Sequence, residues 1–222
     1  MKEAGLCEWC EWFKESELLE TVQILRALFS RNELFRETIL NVFCDASQDA
    51  YGASAHLRRE FDDNVVECRL VAGKDRVVRL KAQSICRPEL MGALIAAGLA
   101  ETLAAVVMTK IAKITFWSDS ITVLHWFHRT SSNYNAFVGN RVSETHTIMG
   151  NLETTLGAIT VSWRYVPTGD NPSNDITREL HPVGLYVKHS YTRWSSFTKQ
   201  PSSGQKRKLT CPWKKTREKR KG

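Results

Sequence analysis

The chain has 222 residues, enough for one domain with extensions or two small ones, and its 42% hydrophobic content supports a real core, which excludes the disordered and fibrous classes. The formal charge is +7, but the stretch from Lys199 onward holds ten Lys or Arg against one acid, so the remainder carries 21 basic and 23 acidic residues and a net charge of −2. No apolar run approaches the roughly 20 residues that span a bilayer, so no membrane contact is expected. Cys7, Cys10, Cys44, Cys68, Cys86 and Cys211 lack the spacing of a secreted disulfide framework, and no signal peptide is read ahead of them. An intracellular location, cytoplasmic or nuclear, is expected. Cys7 and Cys10 form a Cys-x-x-Cys pair, yet no second pair follows at zinc-ligand spacing, which favours an accidental pair over a metal site.

In chain order, Glu15 to Arg31 places Leu18, Leu19, Val22, Leu25, Leu28 and Phe29 at helical spacing and predicts an amphipathic helix. Ile39 to Ser47 is a short apolar run in which Val42 and Cys44 alternate with Asn41, Phe43 and Asp45, the pattern of a central strand. It ends on Asp45, which reads either as a strand-end turn residue or as a site carboxylate. Tyr51 to Leu57 predicts a second strand, a turn at Asp62-Asp-Asn64 follows, and Val65 to Val71 predicts a third, so that short connections make an antiparallel meander.

Arg87 to Val107 is Ala- and Leu-rich and predicts a helix, with Pro88 at its start and Glu89 in its first turn. Glu89 reads as a surface acid complementing the helix dipole or as a ligand aimed at the Asp45 strand. Ile111 to Trp117 predicts a buried strand that also ends on a carboxylate, Asp119, for which a helix N-cap is the plain alternative. Two strands that each deliver an Asp at the carboxyl end point to a site, because that edge of an α/β sheet is where sites are assembled. Ile121 to His128 and Tyr134 to Met149 predict helices, with His125 and His128 read as packing or surface residues. Ala158 to Val166 predicts a fifth strand, Pro167 to Pro172 a loop, and Ser173 to Leu180 the start of a last helix. The expected order is β-β-β-α-β-α-α-β-α. Beyond it, Pro201-Ser-Ser-Gly204 reads as a linker and Lys206 to Lys221 as a solvated tail that either binds phosphate backbones, serves nuclear import or simply solubilises.

The set Phe43-Cys-Asp45-Ala-Ser with Tyr51-Gly-Ala, Arg87-Pro-Glu89-Leu, Trp117-Ser-Asp119-Ser, Phe137-Val-Gly-Asn-Arg-Val and Trp163-Arg-Tyr-Val-Pro-Thr-Gly-Asp-Asn-Pro172 resembles the ribonuclease H domain of Pao/BEL-type retrotransposon polyproteins. The resemblance covers roughly Ile39 to Leu180. It implies an α/β, ribonuclease H-like fold: a five-stranded mixed sheet, three antiparallel strands then two parallel, with helices on both faces. It divides the chain into a connection-like helical segment at 1–37, the ribonuclease H-like domain at 38–182, and a linker with a basic tail at 183–222. The implied activity is metal-dependent endonucleolytic hydrolysis of the RNA strand of an RNA–DNA hybrid, distinguished from DNA by its 2′-hydroxyls. Two Mg²⁺ ions, or Mn²⁺, are implied as cofactors, one activating the attacking water and the other steadying the leaving oxygen. Asp45 would bridge both ions, with Glu89 and Asp119 completing the leaving-group side. A reverse transcriptase domain in a parent polyprotein is the implied partner, this chain being a fragment of it. The alternatives are a weakened hybrid-binding or spacer module, and another two-metal nuclease on the same fold.

Two departures from the wider pattern stand out. Val166-Pro-Thr-Gly-Asp-Asn171 lacks the histidine that many ribonucleases H carry before the last helix. At the fourth acidic place, related domains read Asn-Pro-Ala-Asp, two residues, a small one and Arg. An ungapped register on Asn171-Pro-Ser-Asn-Asp-Ile-Thr-Arg178 puts Asn174 there, with Asp175 the candidate after a one-residue slip. Adjacent helical residues diverge by about 100°, so the two cannot both face one metal site. With Asn174 inward the site keeps an amide oxygen but loses a charge, and the water-activating ion is expected to bind weakly.

Overall fold

Alternating apolar segments become five strands, ordered β3-β2-β1-β4-β5 in one sheet. The computed structural model describes residues 2–21, 28–29, 34–78, 85–107, 110–129, 134–157 and 159–178. β1 (Phe35–Ala46), β2 (Ala50–Phe61) and β3 (Val66–Val77) form the antiparallel meander, and β4 (Lys113–Ser118) and β5 (Thr160–Tyr165) run parallel to β1. All three meander strands are longer than the apolar alternation predicts. Past the apolar stretch the strands carry charged side chains, with Arg58 paired to Glu60 along β2 at 3.2 Å and Arg36 of β1 to Asp62 of the following turn at 3.2 Å. The Arg59 guanidinium also lies over the rings of Phe29 and Phe35, 3.9 and 4.3 Å from their centroids. Asn64 takes the left-handed conformation (φ 63°) that closes the β2–β3 turn, a role its short polar side chain tolerates.

The two faces of the sheet differ in chemistry. Leu40, Val42 and Cys44 of β1 join Ala53, Ala55 and Leu57 of β2, Ile114 and Phe116 of β4, and Val161 and Trp163 of β5 in one core cluster. Asn41, Phe43 and Asp45 alternate to the other face. There Phe43 stacks on Trp117 with centroids 5.9 Å apart, and Trp117 Nε1 donates to Asn41 Oδ1 at 3.0 Å. The core face is covered by α2 (Cys86–Val106), α3 (Ile121–His128) and α4 (Ala136–Thr155), all three seated in that cluster. α5 is a single turn, Asn174–Thr177.

α2 buries Leu90 together with the small residues Gly92, Ala93, Ala96, Ala97 and Ala100, so its axis can lie close to the strands. By length and composition alone this 21-residue helix could cross a bilayer, which amends the expectation that no apolar run approaches that length. Here it is the core helix of the fold.

The N-terminal helix is an element that the sequence reading did not predict. α1 runs Lys2–Ser16, where Trp9 meets Trp12 and Phe13 at 6.4 and 5.9 Å, contacts that i,i+3 and i,i+4 spacing on a helix permits. Ser16 closes it by bonding back to the Phe13 carbonyl at 2.7 Å, and a 3₁₀ turn (Glu17–Thr21) replaces the start of the helix predicted from Glu15. The rest of that predicted helix apart from Leu28 and Phe29, the last helix beyond Arg178, and the linker and tail lie outside the described residues.

Candidate active site

The parallel register sets two carboxylates side by side. Cys44 of β1 and Ser118 of β4 are register partners, so the next residue on each chain, Asp45 and Asp119, leaves adjacent strand ends. Asp45 is still within β1, opposite Gly52, and only 7% exposed, which places it in the sheet and not in a turn. The N-cap of α3 is Ser120, whose hydroxyl accepts from the Val123 N–H, so Asp119 does not perform the capping that its position suggested.

Glu89 reaches the same edge from the first turn of α2. A Cβ built on Gly92, one turn further along, would lie 2.9 Å from the Asp45 carbonyl oxygen and 3.4 Å from that of Gly52, so the helix meets the strands at the level of Asp45. Burial pushes the Glu89 carboxyl up from its ordinary range, Ser120 opposes this by donating a hydrogen bond to Oε2, and Asp119 and Asp45 add repulsion. Asp45 is likewise pushed up by burial first. Its hydrogen bond from the Thr177 hydroxyl opposes the rise, Asp119 adds to it, and Arg178 and the Ala46 N–H lower it. The three carboxylates therefore share one electrostatic neighbourhood.

The segment from Asn171 to Thr177 is fastened to the end of β1 by its polar side chains. Ser173, fully buried, donates to the Phe43 carbonyl at 2.7 Å and accepts from the Ser54 N–H at 3.1 Å, with the Ser54 hydroxyl 2.9 Å away. Asn171 Nδ2 donates to the Cys44 carbonyl at 2.9 Å, Thr177 donates to Asp45, and Ser47 donates to the Thr177 carbonyl at 2.7 Å. The N–H groups of Asn174, Asp175 and Ile176 bond to carbonyls three residues back, at 3.2, 3.2 and 3.0 Å. That spacing of three puts Asn174 and Thr177 on one side of the turn.

Asn174 is half-buried. Its Nδ2 donates to the Thr168 carbonyl at 2.6 Å, and its Oδ1 is buried without a hydrogen-bond partner among the described residues. Asp175 is exposed. Among the described residues no group of three or more His, Cys, Asp or Glu side chains is disposed to hold a metal ion. The donor chemistry nevertheless suits a hard divalent cation: carboxylate oxygens that repel one another, and an amide oxygen whose buried lone pairs lack a partner. As folded, hydroxyl groups of Thr177 and Ser120 satisfy one oxygen each on Asp45 and Glu89.

Sequence reasoning assigned no role to Asn171, Ser173, Thr177 or Ser120. The signal for three of them was present in Asn171-Pro-Ser-Asn-Asp-Ile-Thr177, a turn unusually dense in short polar side chains, which favour bonds to nearby backbone.

A mixed sheet in the order 3-2-1-4-5, its first three strands antiparallel and its last two parallel to the first, with carboxylates at the ends of β1 and β4, defines a ribonuclease H-like domain. Residues 1–120 match the model of the Pao retrotransposon-like RNaseH-like domain, and the chain belongs to that family. The match takes in α1 and ends just past Asp119, so Asn171 to Arg178 lies outside it. A comparison with curated proteins gives no match. Among solved structures, ribonuclease H1 of the halophilic archaeon Halobacterium salinarum is 12% identical, with 60% of this chain and 88% of that one covered and a TM-score of 0.37. LC11-RNase H1 in complex with an RNA/DNA hybrid, a protein isolated from compost, is 7% identical over 67% of this chain and 99% of that one, with a TM-score of 0.40. A foamy viral protease–reverse transcriptase in complex with double-stranded DNA is 16% identical over 60% of this chain and 24% of that one, with a TM-score of 0.32.

Proposed function

We propose that this chain hydrolyses the RNA strand of RNA–DNA hybrids, as the nuclease module beside a reverse transcriptase domain. The observation that carries the reading is the meeting of Asp45, Glu89 and Asp119 from β1, α2 and β4 at one sheet edge, where burial and mutual repulsion raise Asp45 and Glu89. Such a cluster favours whatever neutralises it. Asp45, Glu89, Asp119 and the Asn174 amide oxygen would hold two Mg²⁺ or Mn²⁺ ions, which when bound supply Lewis acidity for water activation and for the departing 3′ oxygen. The chain's own residues do the positioning: Thr177 orients the Asp45 carboxylate, Ser120 orients Glu89, and Arg178 tempers the charge at Asp45. The working module is residues 38–182, with 1–37 joining it to a preceding domain and 183–222 forming the basic extension.

Asn174 favours a second, weaker form of the same reading. Its buried Oδ1, without a hydrogen-bond partner among the described residues, supports it over the exposed Asp175 as the fourth ligand, and the site then has one negative charge fewer than a four-acid set. Cleavage would then require high Mg²⁺ or respond better to Mn²⁺. The test is purified protein with either metal and labelled hybrid, duplex DNA or single-stranded RNA. Cleavage confined to the RNA of the hybrid, and lost in Asp45→Asn, is the expected result. Preference for duplex DNA would assign another nuclease activity, and no cleavage of any substrate at high Mn²⁺ would leave a binding module.

A further inference from the structure

We infer that Asn171 is a positioning residue that holds the Asp119 carboxylate against the end of β1, an inference that rests on the hydrolytic reading above. Asn171 is 4% exposed although it sits in the connection between β5 and α5, and all of its amide is engaged. Oδ1 accepts from the Ser173 N–H at 3.1 Å, while Nδ2, which carries two hydrogens, donates to the Cys44 carbonyl at 2.9 Å and faces Asp119 Oδ1 at 3.5 Å. One amide thus touches the residue before Asp45 on β1 and the carboxylate that follows β4. The second contact is at the long limit for a hydrogen bond, as catalytic contacts often are before substrate and cation tighten the site.

Closing the turn does not explain this choice of residue. Accepting from the Ser173 N–H requires only an oxygen, which Ser or Asp would supply. Nor is Asn171 needed to hold the turn down, since Ser173 and Thr177 fasten it independently to Phe43, Ser54 and Asp45. What the NH₂ group alone adds is the bridge to Asp119. Asp119 is only half-buried and lies next to two carboxylates that repel it. Without a donor on the inner side, rotation toward water relieves that repulsion and opens the cation site.

Asn171→Ser keeps a short oxygen for the Ser173 N–H but cannot span the gap. Its melting temperature in metal-free buffer should stay within a few degrees of wild type. The Mg²⁺ concentration for half-maximal cleavage should rise about tenfold, as is typical when a partner of a ligand is removed, with the KM for hybrid unchanged. The Mg²⁺-induced rise in melting temperature should shrink in parallel. A metal-free readout accompanies these: in ¹⁵N-labelled protein one Asn171 side-chain NH resonance should shift on Asp119→Asn while its sister, bonded to Cys44, stays protected from exchange. An Asn171→Ser protein with wild-type Mg²⁺ dependence, or side-chain signals indifferent to Asp119→Asn, overturns the inference. If wild type neither cleaves hybrid nor gains stability from Mg²⁺, the hydrolytic reading is what fails, and the NH resonance still decides whether the bridge exists.

Discussion

A carboxylate that is partly desolvated and close to two others is stabilised by gaining a proton or a cation, and that gives Asp45 and Glu89 a measurable signature. Both hold protons more tightly in the folded chain than their ordinary values of 3.8 and 4.5. Their contribution to stability is therefore full below those values and is lost as pH rises through the raised folded values. His56 acts in the opposite sense. Burial pushes it down to about 3, so its contribution is full above 6.5 and declines as pH falls from there toward 3. Comparison with Asp45→Asn separates the two, because only the carboxylate contribution changes. In metal-free buffer the variant should melt higher than wild type at pH 7, the gap should close toward pH 4, and Mg²⁺ should raise wild type more than the variant. A gap independent of pH would mean that Asp45 is not strained by its neighbours. The fourth position yields a second prediction at this scale. Asn174→Asp should increase hybrid cleavage at low Mg²⁺ by roughly the tenfold or more that a ligand-level change brings, whereas Asp175→Ala, at an exposed position, should leave it within about twofold. Loss of cleavage in Asp175→Ala with no gain in Asn174→Asp would show that the slipped register operates.

At the scale of elements, the carboxylates converge because of how close a helix can approach a strand pair. Gly92 is the point of contact, with Asp45 and Gly52 carbonyls at 2.9 and 3.4 Å from where a Cβ would stand, and the first of these is backbone at a distance that real Cβ atoms essentially never show. Gly98, on the same helix, has nothing within 4 Å of that place. Replacing a helical Gly with Ala where there is room for the Cβ gains roughly 1 kcal/mol of propensity. Gly98→Ala should therefore raise the melting temperature by a few degrees, while Gly92→Ala should lower it and reduce Mg²⁺ affinity by displacing Glu89. A Gly92→Ala protein as stable and as Mg²⁺-responsive as Gly98→Ala would show that α2 is not seated as described. The strands and α2 to α4 were legible in the sequence because apolar period and a proline near a helix start, as at Pro88, are local signals. The ladder beyond Leu57 was not, because there charge pairs such as Arg58 with Glu60 replace the apolar alternation. α1 was missed for a related reason: its mark is the aromatic cluster of Trp9, Trp12 and Phe13, a weaker periodic signal than the stripe of Leu and Val that follows it in the sequence.

For the whole molecule, Asp45, Glu89 and Asp119 were legible as candidates because each stands at the end of a strand or the start of a helix. Their supports were not, since Asn171 finds Cys44 and Thr177 finds Asp45 across 127 and 132 residues of chain, and no local pattern encodes such a pairing. Charge is the other property that only the full chain carries. An acidic body of net −2 built around repelling carboxylates is a poor attractor for a polyanion, and the cations that reverse the sign are concentrated from Lys199 onward. Each phosphate neutralised by a cation releases counterions, so log affinity falls with log salt by about 0.9 per contact on duplex DNA. Truncation ahead of Pro201 removes nine cations and one acid. It should flatten the salt dependence of hybrid binding by several units of slope and weaken binding at low salt, while the melting temperature and the Mg²⁺ requirement for cleavage stay unchanged. Binding measured with Asp45→Asn keeps the hybrid intact during the titration. An unchanged slope after truncation would place the electrostatic contacts on the domain itself, and a lowered melting temperature would show that the extension packs on the fold.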